Sequence, residues 1–147
     1  MSAALPWLLA IQLVTTLPLV GLIWTIQLVH YPLFSRIGDS GFIEYQHEHM
    51  RAIGPLVGPL MAVEALAAIA LVFCLPTNPL AISGLALILV IWGSTAILQI
   101  PCHRRLCDGF DSTAHRRLVT SNWLRTIAWS GRGGLSVLMI YCWLGTG

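Results

Sequence analysis

Apolar positions fall in four long blocks, residues 5–29, 54–74, 80–100 and about 123–144, and nearly all charge lies between them. Each block approaches the ~20 residues that a helix needs to cross a hydrocarbon core. A closed helix is also the economical way to satisfy the backbone in lipid. The pattern therefore predicts an all-α integral membrane protein with four transmembrane helices, a single domain over 1–147.

The joints are equally readable. The first helix is predicted to end near His30-Tyr31-Pro32, because the residue before proline avoids α geometry. Gly38-Asp39-Ser40-Gly41 reads as a turn, with Asp39 or Ser40 as the cap of a surface helix that starts near Phe42. That helix bends into the bilayer around Gly54-Pro55. On it Glu44, His47, Glu48 and Arg51 share one face, and Tyr45 and His49 lie on another. Leu75 to Pro79 is a tight turn. Asp108-Gly109-Phe110-Asp111 is another, with Asp111 or Ser112 as the next cap. The last apolar run is short, so spanning brings Arg125 to the interface and Arg132 into the core.

The polar grammar of 30–64 is written twice. A shift of 69 superposes Pro32, Arg36, Ile37 and Asp39 on Pro101, Arg105, Leu106 and Asp108. A shift of 68 then superposes Gly41, Phe42, His47 and Cys74 on Gly109, Phe110, His115 and Cys142. Such periodicity implies duplicated architecture: two parallel helical hairpins, about 5–74 and 80–145, related by a pseudo-twofold axis along the membrane normal. The same shift sets Glu48 against Arg116 and Glu64 against Arg132. An unpaired charge in mid-bilayer costs at least ~2.5–3.5 kcal/mol, so a Glu64–Arg132 pair is expected.

Composition sharpens the class. Of 147 residues 56% are hydrophobic and 10% charged, where soluble domains carry roughly 25% charged residues. There is no lysine, and the eight arginines (36, 51, 104, 105, 116, 117, 125 and 132) lie in or beside the first and third connections. Positive charge stays inside, which places the arginine-rich loops in the cytoplasm, both termini outside, and the protein in the cytoplasmic (inner) membrane.

All five histidines, His30, His47, His49, His103 and His115, fall on that side with most of the acids. Histidine ligates metals and titrates near neutrality. As repeat equivalents, His47 and His115 are candidates for a symmetric ligand pair, for haem b or for iron, copper or zinc completed by His49, Glu44 or Glu48. His30 and His103, each beside a proline, are candidates for the same cavity. Glu64 and Arg132 are candidates for a proton relay or substrate anchor, against a purely structural pair. Glu44-x-x-His47 has di-iron spacing but no second copy, and Cys102-x4-Cys107 with His103 is half a zinc site. Trp123, Trp129 and Trp143 read as interface anchors or packing. No phosphate loop, nucleophile elbow or H-E-x-x-H motif is present, and beyond basic loops suited to anionic headgroups nothing suggests nucleic acid.

The string His30-Tyr31-Pro32-Leu33-Phe34, the Glu/His cluster around His47, and the run GFDSTAHRRLVTSNWLRTIAW resemble a group of small bacterial four-helix membrane proteins. That likeness implies a fold and no activity. Four helices and a histidine near the end of the first also loosely resemble the haem-dependent membrane protoporphyrinogen oxidases, whose required lysine this chain lacks. The leading expectation is a metal- or haem-binding membrane protein, with oxidoreductase chemistry on a lipophilic small molecule. The alternatives are an accessory subunit of a larger membrane complex and a homo-oligomeric carrier using Glu64 and Arg132.

Overall fold

The computed structural model describes residues 3–145, apart from the side chain of Asp39, so the predicted cap at Asp39 lies outside the described residues. Among the described residues every regular element is helical. The segments join into rods: α1 (Leu5–Arg36), α2 (Asp39–Cys74), α3 (Pro79–Cys107) and α4 (Ser112–Leu144). By length and composition three of them, α1, α2 and α3, can cross a membrane. This is consistent with a membrane protein.

The rods begin where local chemistry allows. The Asn78 side chain accepts from the Leu80 and Ala81 amides at 2.9 and 3.2 Å, and Pro79 fills the first turn, where its missing N–H costs nothing. Asp111 caps α4 in the same way, accepting from the Thr113 and Ala114 amides at 2.8 and 2.9 Å. Gly109, at φ +140°, makes the preceding turn in a conformation that favours glycine. The cap position of α2 falls to Gly38, with no side-chain bond.

Pro32, expected to stop its helix, does not, and neither does Pro101. Ile26–His30 and Thr95–Gln99 are π turns, in which the Tyr31 amide bonds to Ile26 O and the Ile100 amide to Thr95 O. A proline inside an α-helix lacks one donor and clashes with the carbonyl four residues back. A wider i→i+5 turn immediately before it re-phases those carbonyls, so α1 continues through Pro32 to Arg36 and α3 through Pro101 to Cys107. The expected surface helix is likewise continuous with the next one, as α2 runs unbroken through Pro55 and Pro59. At 36 residues its length is about 54 Å, well beyond a ~30 Å hydrocarbon core.

Each rod packs on two neighbours: α1 on α2 and α4, and α3 on α2 and α4. Three apolar layers fill the interior. Tyr31, Phe34, Phe42, Leu106 and Leu118 lie at the arginine-bearing end; Leu19, Ile23, Met61, Ile91 and Trp129 in the middle; and Leu5, Leu9, Leu71 and Met139 at the other end.

Candidate functional site

Polar side chains are threaded between these layers. The first group lies where the π turn of α1, the first third of α2 and the end of α3 meet. His30 Nε2 is 2.9 Å from His49 Nδ1, and the His49 ring centroid lies 5.4 Å from that of His103. His103 is buried, with Nε2 2.9 Å from the Tyr31 hydroxyl and Nδ1 2.9 Å from the Gln46 amide nitrogen. The Arg125 guanidinium lies near the Tyr31 hydroxyl. His115 donates from Nε2 to the Tyr31 carbonyl at 2.8 Å, because a carbonyl can only accept.

Arg125 is 7% exposed rather than interfacial. It reaches Asn122 Oδ1 at 3.2 Å and lies over the Trp129 ring at 5.0 Å. Asn122 in turn donates to Gln27 Oε1 at 2.9 Å, and Gln27 donates to the Val119 carbonyl at 3.2 Å. Neither described ion pair involves Arg125. Its charge is met by an amide oxygen and an aromatic face, and by no carboxylate among the described residues.

The second group is the pair expected from the register. Arg132 Nε lies 2.8 Å from Glu64 Oε1, with both side chains essentially unexposed. Thr16 donates to Oε1 at 2.8 Å and the Trp129 indole to Oε2 at 3.2 Å. Arg132 Nη1 donates to the Gly84 carbonyl at 2.6 Å. Trp129 is 1% exposed and braces this core pair, where an interface anchor was an option. The other expected pairing, Glu48 with Arg116, forms no ion pair among the described residues.

The predicted ligand set is divided by the fold. His30, His49 and His103 come together, while Glu44, His47 and Glu48 lie exposed on the opposite face of α2. His115 is engaged with the Tyr31 carbonyl, and His47 is exposed. Among the described residues no three His, Cys, Asp or Glu side chains are grouped to hold a metal ion. The half-site cysteines are separate in character, Cys102 buried and Cys107 half-buried, both as free thiols.

Sequence reading missed Tyr31, Gln46, Gln27, Asn122 and Thr16, and misplaced Arg125. The signal was helical spacing within apolar runs: Gln12, Thr16, Gln27 and Tyr31 follow one face of α1, and Asn122, Arg125, Trp129, Arg132 and Ser136 one face of α4.

Two features say what the histidine group can do. An open groove of about 220 Å³ runs between α1 and α2, walled by Leu22, Ile26, Ala52, Ile53 and Leu56, with His30 and His49 at one end. His49 Nε2 is buried with no hydrogen-bond partner. A neutral imidazole holds one proton, so the proton shared between His30 and His49 decides whether that nitrogen donates or accepts.

No family model matches the chain, and neither a curated protein nor a solved structure matches it. The class that stands is therefore an all-helical protein with three rods apolar and long enough to cross a membrane.

Proposed function

We propose that this chain is an integral protein of the cytoplasmic membrane that takes the polar head of a lipophilic small molecule from the bilayer onto His30 and His49. The supporting observation is the apolar α1/α2 groove ending on a bonded histidine pair with one unpartnered nitrogen. Ligand pockets usually enclose ~300–1,000 Å³. A groove of about 220 Å³ suits a head group whose tail stays in lipid. A nitrogen that alternates between donor and acceptor suits a head that alternates between carbonyl and hydroxyl, which is the chemistry of a quinone and its quinol. The role proposed is binding and proton exchange at that head. The expected haem or metal gains no support from the donor geometry, and neither is needed for this role.

In this reading the chain crosses four times, with α4 as the fourth span and the termini outside. The charge that sets α4 apart is turned inward: Arg125 and Arg132 are buried on partners and do not meet lipid. The arginine distribution supports the orientation. Two π turns 69 residues apart, each preceding a proline, and a Glu64–Arg132 pair 68 apart support parallel duplicated hairpins.

The test is titration of purified protein in detergent with a short-chain alkyl benzoquinone and its quinol, read by calorimetry. Saturable binding is expected, with an affinity loss of tenfold or more in His49→Ala and in the groove-filling Ala52→Phe. Non-saturable uptake, or equal uptake by all three proteins, would overturn the reading.

A further inference from the structure

A second, separate feature lies on α4. Thr113, Arg116, Arg117, Thr120 and Ser121 line one open concavity of about 390 Å³. Their spacings of three, four, seven and eight put them on one helical face, and the two arginines are exposed. Both ion pairs of the described residues lie elsewhere, so neither guanidinium is neutralised by a carboxylate among those residues. The Thr113 and Thr120 hydroxyls stand beside two planar cations, while the Ser121 hydroxyl is engaged with Gln99 and the Leu118 carbonyl. Guanidinium forks and hydroxyl donors are the donor set that phosphate oxygens accept from.

The next turns of the same face identify the source of the phosphate. At Leu124 and then Ile127 the stripe becomes apolar and exposed, at 45% and 67%. Trp123, 40% exposed at the change of character, stacks edge-on with Trp24 at 5.7 Å, and tryptophan favours the water–lipid boundary. A soluble phosphate would use the cations alone. A phospholipid uses the whole stripe, its phosphate on the arginines and its chains along Leu124 and Ile127.

We propose that this face of α4 is a binding site for an anionic phospholipid headgroup. It is distinct from the histidine site: the concavity and the α1/α2 groove share no lining residue. The two arginines supply the charge and the hydroxyls orient the phosphate.

The experiment uses full-length protein in neutral detergent, with phosphatidylglycerol, phosphatidylcholine and inorganic phosphate as probes, read by native mass spectrometry and thermal unfolding. Wild type is expected to retain phosphatidylglycerol over phosphatidylcholine and to gain thermal stability from it. Arg116→Ala/Arg117→Ala should weaken retention roughly thirtyfold, from the attraction of two basic residues near an anionic surface. Thr113→Val/Thr120→Val keeps the charge and should still weaken it severalfold. Unfolding without lipid checks that both variants fold as wild type does. Equal retention by wild type and the arginine variant overturns the proposal, as does equal stabilisation by inorganic phosphate, which marks an ordinary anion site.

Discussion

Arg132 Nε donates to Glu64 Oε1 across 2.8 Å in the centre of the molecule, from residues 68 positions apart. The surroundings of the two charges are not interchangeable. Around Glu64 stand donors, the Thr16 hydroxyl and the Trp129 indole, and beside Arg132 stands an acceptor, the Gly84 carbonyl. Breaking a buried pair by removing one partner typically costs ~3–5 kcal/mol, while replacing both by apolar residues is often neutral. Glu64→Leu and Arg132→Met should each lower the thermal midpoint in detergent strongly, and the double variant should recover most of the loss. The reversed pair Glu64→Arg/Arg132→Glu should recover little, because it aims donors at a guanidinium and a carbonyl at a carboxylate. Full recovery on reversal would mean that the pair acts as two point charges only.

A glycine makes this geometry reachable. A Cβ on Gly84 would lie 3.3 Å from Arg132 Nη1, and that nitrogen cannot retreat without losing its 2.6 Å bond to the Gly84 carbonyl. Gly84→Ala should therefore destabilise by roughly 1–3 kcal/mol, the usual cost of overpacking, despite alanine's better helix propensity. Gly21→Ala, where a Cβ meets nothing within 4 Å, should not destabilise. Equal unfolding midpoints for the two variants would show that Arg132 repacks freely.

How much of this could be read from the chain depended on which physical signal each residue carried. Three apolar rods long enough to span, the turn at residues 75–79 and the Asp111 cap follow from apolar length and local turn chemistry, signals that tertiary context did not override. The Glu64–Arg132 pair was legible because charge deep in an apolar run demands a partner, and a shift of 68 along the sequence set the two residues against each other. The histidine group was half legible. His47, Glu44 and Glu48 share a face because that face is solvated, so their clustering carried no information about the interior. The residues that turn inward with His49, namely Phe42, Tyr45 and Gln46 in whole or in part, are mostly apolar or neutral. They look like core rather than chemistry. The continuation of α1 past His30 was hidden as well, since a π turn before a proline has no composition of its own.

Tyr31 joins the two halves of the cluster. Its hydroxyl is 2.9 Å from His103 Nε2 and lies near the Arg125 guanidinium, and the residue is 3% exposed. Tyr31→Phe keeps the shape and strips His103 Nε2 of its oxygen partner. A buried polar group left unsatisfied costs ~1–3 kcal/mol, so a loss in that range is expected in chemical unfolding. Tyr31→Phe combined with His103→Phe should cost less than the two separate losses added together. Strict additivity would mean that the 2.9 Å contact between Tyr31 and His103 contributes nothing.

Outside the spans, Asp111 makes the start of α4 sensitive to acid. The Ala114 amide, then the Thr113 amide and the Arg105 guanidinium, hold its carboxyl below the ordinary carboxylate range. Because the folded group is the stronger acid, its stabilisation is complete above the ordinary carboxylate pKa, ~3.9, and is lost as pH falls through the lower folded value. The effect is local: Asp111 caps two amides and pairs with Arg105 at 2.7 Å, whose side chain is 69% exposed. Amide exchange at Thr113 and Ala114, corrected for intrinsic rates, should accelerate on acidification below that range while the middle of α4 stays protected. Asp111→Asn keeps an oxygen cap but has no carboxyl to titrate, so its exchange at these amides should show no acid step. An acid step of the same size in Asp111→Asn would assign the sensitivity to another group.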